Sequence, residues 1–136
     1  MLDRVRQSSL LRFALLADAL ASGAMGVLMA AGAGLLSAFL GLPASLLFWA
    51  GAILIPFALL VAWAGTRDAP QGSVVGAIVL VNLAWVVGSF VLFGLLPQAP
   101  GALGYAFVIA QALAVLLLAL MQWIGLSRSG RAAAAA

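Results

Sequence analysis

Residues 73–96 read SVVGAIVLVNLAWVVGSFVLFGLL, an apolar run with no charged side chain and only Ser73, Asn82 and Ser89 as small polar interruptions. Wound as a helix, these residues extend roughly 36 Å, enough to cross a hydrocarbon core of about 30 Å. A barrel strand needs alternating polar and apolar positions, and the run has none. In lipid every peptide group must be satisfied internally, so the stretch reads as a transmembrane helix.

Working outward, three further runs of the same kind occupy residues 12–39, 44–65 and 103–126. The breaks carry their own punctuation: Gly41-Leu42-Pro43, the charged segment Gly65 to Gly72, and Pro97 to Gly101. The sequence therefore predicts an all-α polytopic membrane protein, with four transmembrane helices in an up-and-down bundle. Residues 1–131 form a single domain in this reading, and residues 132–136 are a run of alanine that bears on no function.

Composition agrees. The chain of 136 residues is 67% hydrophobic and 7% charged, with a mean hydropathy of +1.29, values that exclude a water-soluble domain. The pI of about 11.3 reflects a shortage of acids; the arginines form no stripe, so nucleic acid is not an expected partner. With no cysteine and no histidine, disulfides, thiolate chemistry and the commonest transition-metal ligands are excluded. No cofactor or metal site is expected.

All six basic residues are arginines: Arg4, Arg6, Arg12, Arg67, Arg128 and Arg131. In a four-span layout they share one side, while the hairpins at 40–43 and 97–102 have none. The positive-inside rule then puts both termini and the middle loop in the cytoplasm of a bacterial-type inner membrane. Trp63 and Trp123 are expected near that boundary, with Trp49 and Tyr105 near the outer one. A cleaved secretory signal is disfavoured because Asp18 interrupts the apolar region and the run continues to Leu40.

Helices in lipid associate through close contact of small residues and through a few polar contacts. Span 1 carries Ser22, Gly26, Ala30 and Gly34 at four-residue spacing; span 4 offers Ala106, Ala110 and Ala114, and span 3 Ala84 and Gly88. These faces are the expected helix contacts, within the chain or with a second subunit. Pro56 removes a backbone hydrogen bond from the middle of span 2, where it shapes the helix or serves as a hinge.

Asp18 is the sole acidic residue in a predicted span. A central aspartate costs roughly 2.5–3.5 kcal/mol to insert, so it must face protein, water or the interface. Six residues after Arg12, or about 9 Å along the axis, it is expected to lie shallow. It is either a protonatable group for proton-coupled transport or a carboxylate held by Ser22, a neighbouring helix or a basic partner. Span 4 returns Gln122 to nearly the same depth, which makes a hydrogen bond between Asp18 and Gln122 the favoured pairing. Asn82 is expected near the midplane, with Trp85 and Ser89 broadly on its side, and Gln111 in the outer half of span 4; these either line a path or tie helices together.

In topology the chain resembles the small multidrug-resistance exporters, short four-helix inner-membrane proteins with an essential carboxylate in the first helix that act as dimers. That resemblance implies Asp18 as the counterpart carboxylate, where the family uses glutamate. It covers topology and no specific motif: the family's proline- and glycine-rich segments and tryptophan-containing third helix are not in register here.

Enzyme signatures such as His-Glu-x-x-His, a Walker loop or a nucleophile elbow do not occur, so the chain is not expected to be an enzyme. Two functions remain: an accessory or structural subunit packing laterally against a partner membrane protein, or a small proton-coupled transporter or channel acting as a homo-oligomer. Membrane lipids, and either another membrane protein or further copies of the chain, are the expected partners.

Overall fold

The computed structural model describes residues 8–135, with side chains through Ser129. Asp3, Arg4, Arg6 and Ala136 lie outside the described residues, as do the side chains of Arg131 and Ala132 to Ala135. The protein is all-α, in the order α1 Ser9–Ala31, α2 Ala33–Leu40, α3 Ala44–Thr66, α4 Gly72–Leu95 and α5 Ala102–Ala135. Among the described residues four helices are long and apolar enough to cross a membrane: α1, α3, α4 and the Ala102–Ser129 part of α5. It is a small four-span helical membrane protein.

One expected span is two helices. A single helix over 12–39 would be roughly 42 Å long, well beyond the hydrocarbon thickness. The chain relieves this at Gly32, where α1 ends and α2 begins. No β-carbon fits there, since one would lie 2.8 Å from the Leu28 carbonyl oxygen. Helix α2 then packs on α3 and α5. It closes on Gly41, whose φ of 71° is the left-handed C-terminal turn that glycine adopts freely. Pro56, by contrast, sits inside a continuous α3 on its exposed side.

Each of the four long helices buries one stripe. On α1 it is Leu11, Ala14, Leu15, Asp18, Ser22, Gly26 and Met29; on α3, Leu47, Gly51, Leu54, Ala58, Val61 and Ala64, the three-and-four spacing of a helix with one protein-facing side. Helix α1 lies against α3 along much of its length and also against α5, and α5 lies against α4. Helices α3 and α4 approach one another at few positions, although they are consecutive in sequence. Near the ends that carry the termini, Val75 and Ile78 of α4 close on Leu11, Leu15, Val61 and Ala64. Toward the two hairpins α3 and α4 part.

The close crossing of α1 on α3 depends on glycine. A β-carbon at position 51 would lie 2.6 Å from both the Ala30 amide nitrogen and the Gly26 carbonyl oxygen. Gly26 and Ala30 therefore pack as the small-residue spacing implies. Gly34 lies beyond the break at Gly32, and nothing within this chain lies within 4 Å of a β-carbon placed there. Ala84, Gly88, Ala106, Ala110 and Ala114 are also exposed, so of the two expected placements, within the chain or against a second subunit, they are not packed inside this bundle.

The ends are pinned by polar contacts. The Ser8 hydroxyl caps α1 by accepting from the Leu11 amide at 3.1 Å and donates to the Gly125 carbonyl at 3.4 Å, while the Ser8 amide donates to Ser129 Oγ at 3.0 Å. At the opposite end the Gly101 amide donates to the Leu40 carbonyl at 3.2 Å, joining the two hairpins. Trp49, Trp63 and Trp123 face outward, and the Arg67 guanidinium lies 5.2 Å from the Trp63 ring centroid.

Candidate functional site

Two polar clusters interrupt the apolar interior. The first unites three spans around Asp18, which is wholly buried, as is Gln122. Its Oδ2 accepts from Asn82 Nδ2 and from Gln122 Nε2, both at 2.8 Å, and its Oδ1 accepts from Ser22 Oγ at 2.9 Å. Asn82 Nδ2 also reaches Gln122 Oε1 at 3.0 Å. The expected pairing of Asp18 with Gln122 is thus present, with Asn82 as an additional member.

Helix α1 begins at Ser9, before Arg12, so Asp18 stands nine positions, roughly 14 Å, into the helix. That brings it level with Asn82, ten positions into α4. Arg12 meanwhile reaches outward to Asp68 at 3.3 Å, in an ion pair whose aspartate is fully exposed. Both carboxylate oxygens of Asp18 are met by uncharged donors. A buried carboxylate satisfied in this way ties α1, α4 and α5 at one level, because separating any of them leaves a polar group unmatched in hydrocarbon.

The rotation of α5 follows from this knot. Gln122 must face Asp18, and with it Gly104, Val108, Ala112, Ala119, Gly125 and Ser129 turn inward. The row Ala106, Ala110 and Ala114 is thereby turned out. Gly125 lets α5 approach Leu11, to which a β-carbon would come within 2.8 Å. Neither Gly51 nor Gly125 stood out in the sequence, where each shares its span with a second glycine and several alanines.

The second cluster joins α4 to α5 nearer the hairpins. Trp85 Nε1 donates to Gln111 Oε1 at 2.7 Å; Gln111 Nε2 donates to Ser89 Oγ at 2.9 Å and to the Val108 carbonyl at 2.8 Å. The Ser89 hydroxyl donates to the Trp85 carbonyl at 2.7 Å. Trp85 and Ser89 thus separate from Asn82 and pair with Gln111 instead.

Beside this cluster the divergence of α3 from α4 opens a cavity of about 460 Å³, lined by Leu46, Ala50, Ile53, Ala84, Trp85, Gly88, Ser89 and Gln111 among others. That volume is within the usual range for small-molecule sites. Among the described residues no charged side chain lines it, and Asp18 takes no part in it. Trp85, Ser89 and Gln111, expected either to line a path or to tie helices together, do both here, and the cleft itself arises from how far two consecutive helices separate.

No protein-family model, curated protein or solved structure matches the chain. The topological likeness to the small multidrug-resistance exporters therefore stands on span number and the first-helix carboxylate alone.

Proposed function

We propose that this protein is a non-catalytic accessory subunit of the inner membrane, packing laterally against a partner membrane protein with its termini in the cytoplasm. The observation that carries this reading is the outward row Ala106, Ala110 and Ala114 on α5. Small residues at four-residue spacing allow a neighbouring helix to approach closely, and in lipid close approach is a main source of association energy. Leu103, Leu113 and Leu117 are exposed beside the row and supply flanking contact area. The knot around Asp18 serves this role by holding the orientation of α5.

The alternative is a proton-coupled transporter acting as a homo-oligomer. It draws on the lateral cleft and on the carboxylate in the first helix, and it requires Asp18 to be exposed in turn. In its favour stands the space beside Trp85; against it stand the full burial of Asp18 and the separation of Asp18 from that space.

The experiment is to release the native particle from its own membrane in a lipid-polymer disc, weigh it and identify its components. A second membrane protein at fixed stoichiometry, lost on Ala110→Leu, supports the accessory reading. A particle made only of this chain, able to discharge a proton gradient when reconstituted, replaces it with the transporter reading.

A further inference from the structure

The cleft between α3 and α4 has a definite hydrogen-bonding character. Its donors are all spent. The Trp85 ring N–H goes to Gln111, the two hydrogens of the Gln111 amide go to Ser89 Oγ and the Val108 carbonyl, and the Ser89 hydroxyl goes to the Trp85 carbonyl. What remains is acceptor capacity, one lone pair on Gln111 Oε1 and one on Ser89 Oγ. Both residues line the cleft.

A ligand that hydrogen-bonds here must therefore donate. Ketones, quinones and esters bring acceptors and meet no donor. Charged headgroups are disfavoured because the lining includes no charged side chain and the site lies within the spans. Ser89 is six positions before the end of α4 and Gln111 nine positions after the start of α5, roughly 9 and 14 Å below that end of the bundle. At such depth a charge would be costly, whereas a hydroxyl can be satisfied by one acceptor. The rest of the wall is hydrocarbon from Leu46, Ala50 and Ile53 on one side and Ala84 and Gly88 on the other.

We propose that this cleft binds a neutral lipid alcohol from the surrounding membrane, its hydroxyl donating to Gln111 Oε1 or Ser89 Oγ and its chain lying between α3 and α4. The assignment rests on the cleft alone and is independent of whether the protein docks on a partner.

The test uses the full chain carrying Trp49→Phe, Trp63→Phe and Trp123→Phe, so that Trp85 is the remaining indole. All three replaced side chains face outward. In lipid discs, chain-brominated hexadecanol and its methyl ether are compared as quenchers of Trp85 fluorescence. The alcohol is expected to quench saturably and to bind about two- to twelvefold more tightly than the ether, the worth of one net hydrogen bond. Gly88→Leu should abolish saturable quenching; a β-carbon at 88 meets nothing within 4 Å, so the fold tolerates the change while the longer side chain fills the cleft. Equal binding of alcohol and ether, quenching that never saturates, or quenching undiminished in Gly88→Leu would each overturn the proposal. Partner capture in the native particle is a separate readout, so either result stands without the other.

Discussion

Asp18 and Gln122, separated by 104 positions in the chain, meet at 2.8 Å in the interior, the glutamine amide donating to the aspartate carboxylate. This contact joins the first span to the last and fixes which side of α5 faces the protein. Because Asn82 bonds to both residues, the three act as one unit, and loss of any member exposes the others to an unmatched environment.

Replacing Gln122 with leucine keeps the side chain large while removing both its donor and its acceptor. Stability is expected to fall by roughly 1–3 kcal/mol, the cost of leaving buried polar partners unsatisfied. Reversible unfolding in bicelles measures it. Unchanged stability would mean that the knot does not hold the bundle.

Glycines of similar appearance should respond in opposite ways. Gly51→Ala puts a β-carbon 2.6 Å from backbone atoms of α1, and overpacking of this kind costs about 1–3 kcal/mol. Gly76→Ala and Gly94→Ala meet nothing within 4 Å, and each should be neutral or stabilising by up to about 1 kcal/mol through helix propensity. Thermal inactivation of the detergent-solubilised chain ranks the three, and the crossing of α1 on α3 is misassigned if Gly51→Ala ranks with the other two.

Ser8 caps α1 and also contacts Gly125 and Ser129 of α5. Ser8→Ala is expected to cost about 0.5–2 kcal/mol and to speed amide exchange in the first turn of α1 and around Gly125 together. Exchange that rises in α1 alone would leave the cap without a role in joining the two helices.

The arginine distribution predicts a definite topology. Reporters inserted at Asp68 or after Ser129 should be active only as cytoplasmic reporters, and those inserted at Leu42 or Gln98 only as exported ones. The reverse pattern would invert the orientation, and a mixed pattern at Asp68 and Ser129 would contradict four spans.

By itself the sequence determined the class of the protein, the number of spans and the clustering of arginines at one end, because apolar length and charge placement are properties of the chain read in one dimension. It also reached the partnership of Asp18 with Gln122, since an aspartate in a span needs a polar partner and topology returns that glutamine to a similar depth. Which small residues pack was decided only in three dimensions. Alanine and glycine occur on every side of these helices, so facing is not encoded by a polar-apolar contrast; the knot of Asp18, Asn82 and Gln122 sets the rotation instead. The interruption at Gly32 and the cleft beside Trp85 likewise belong to the tertiary structure, the one relieving a span too long for the membrane, the other following from α3 and α4 diverging beyond Ile78 while α1 and α5 hold the centre.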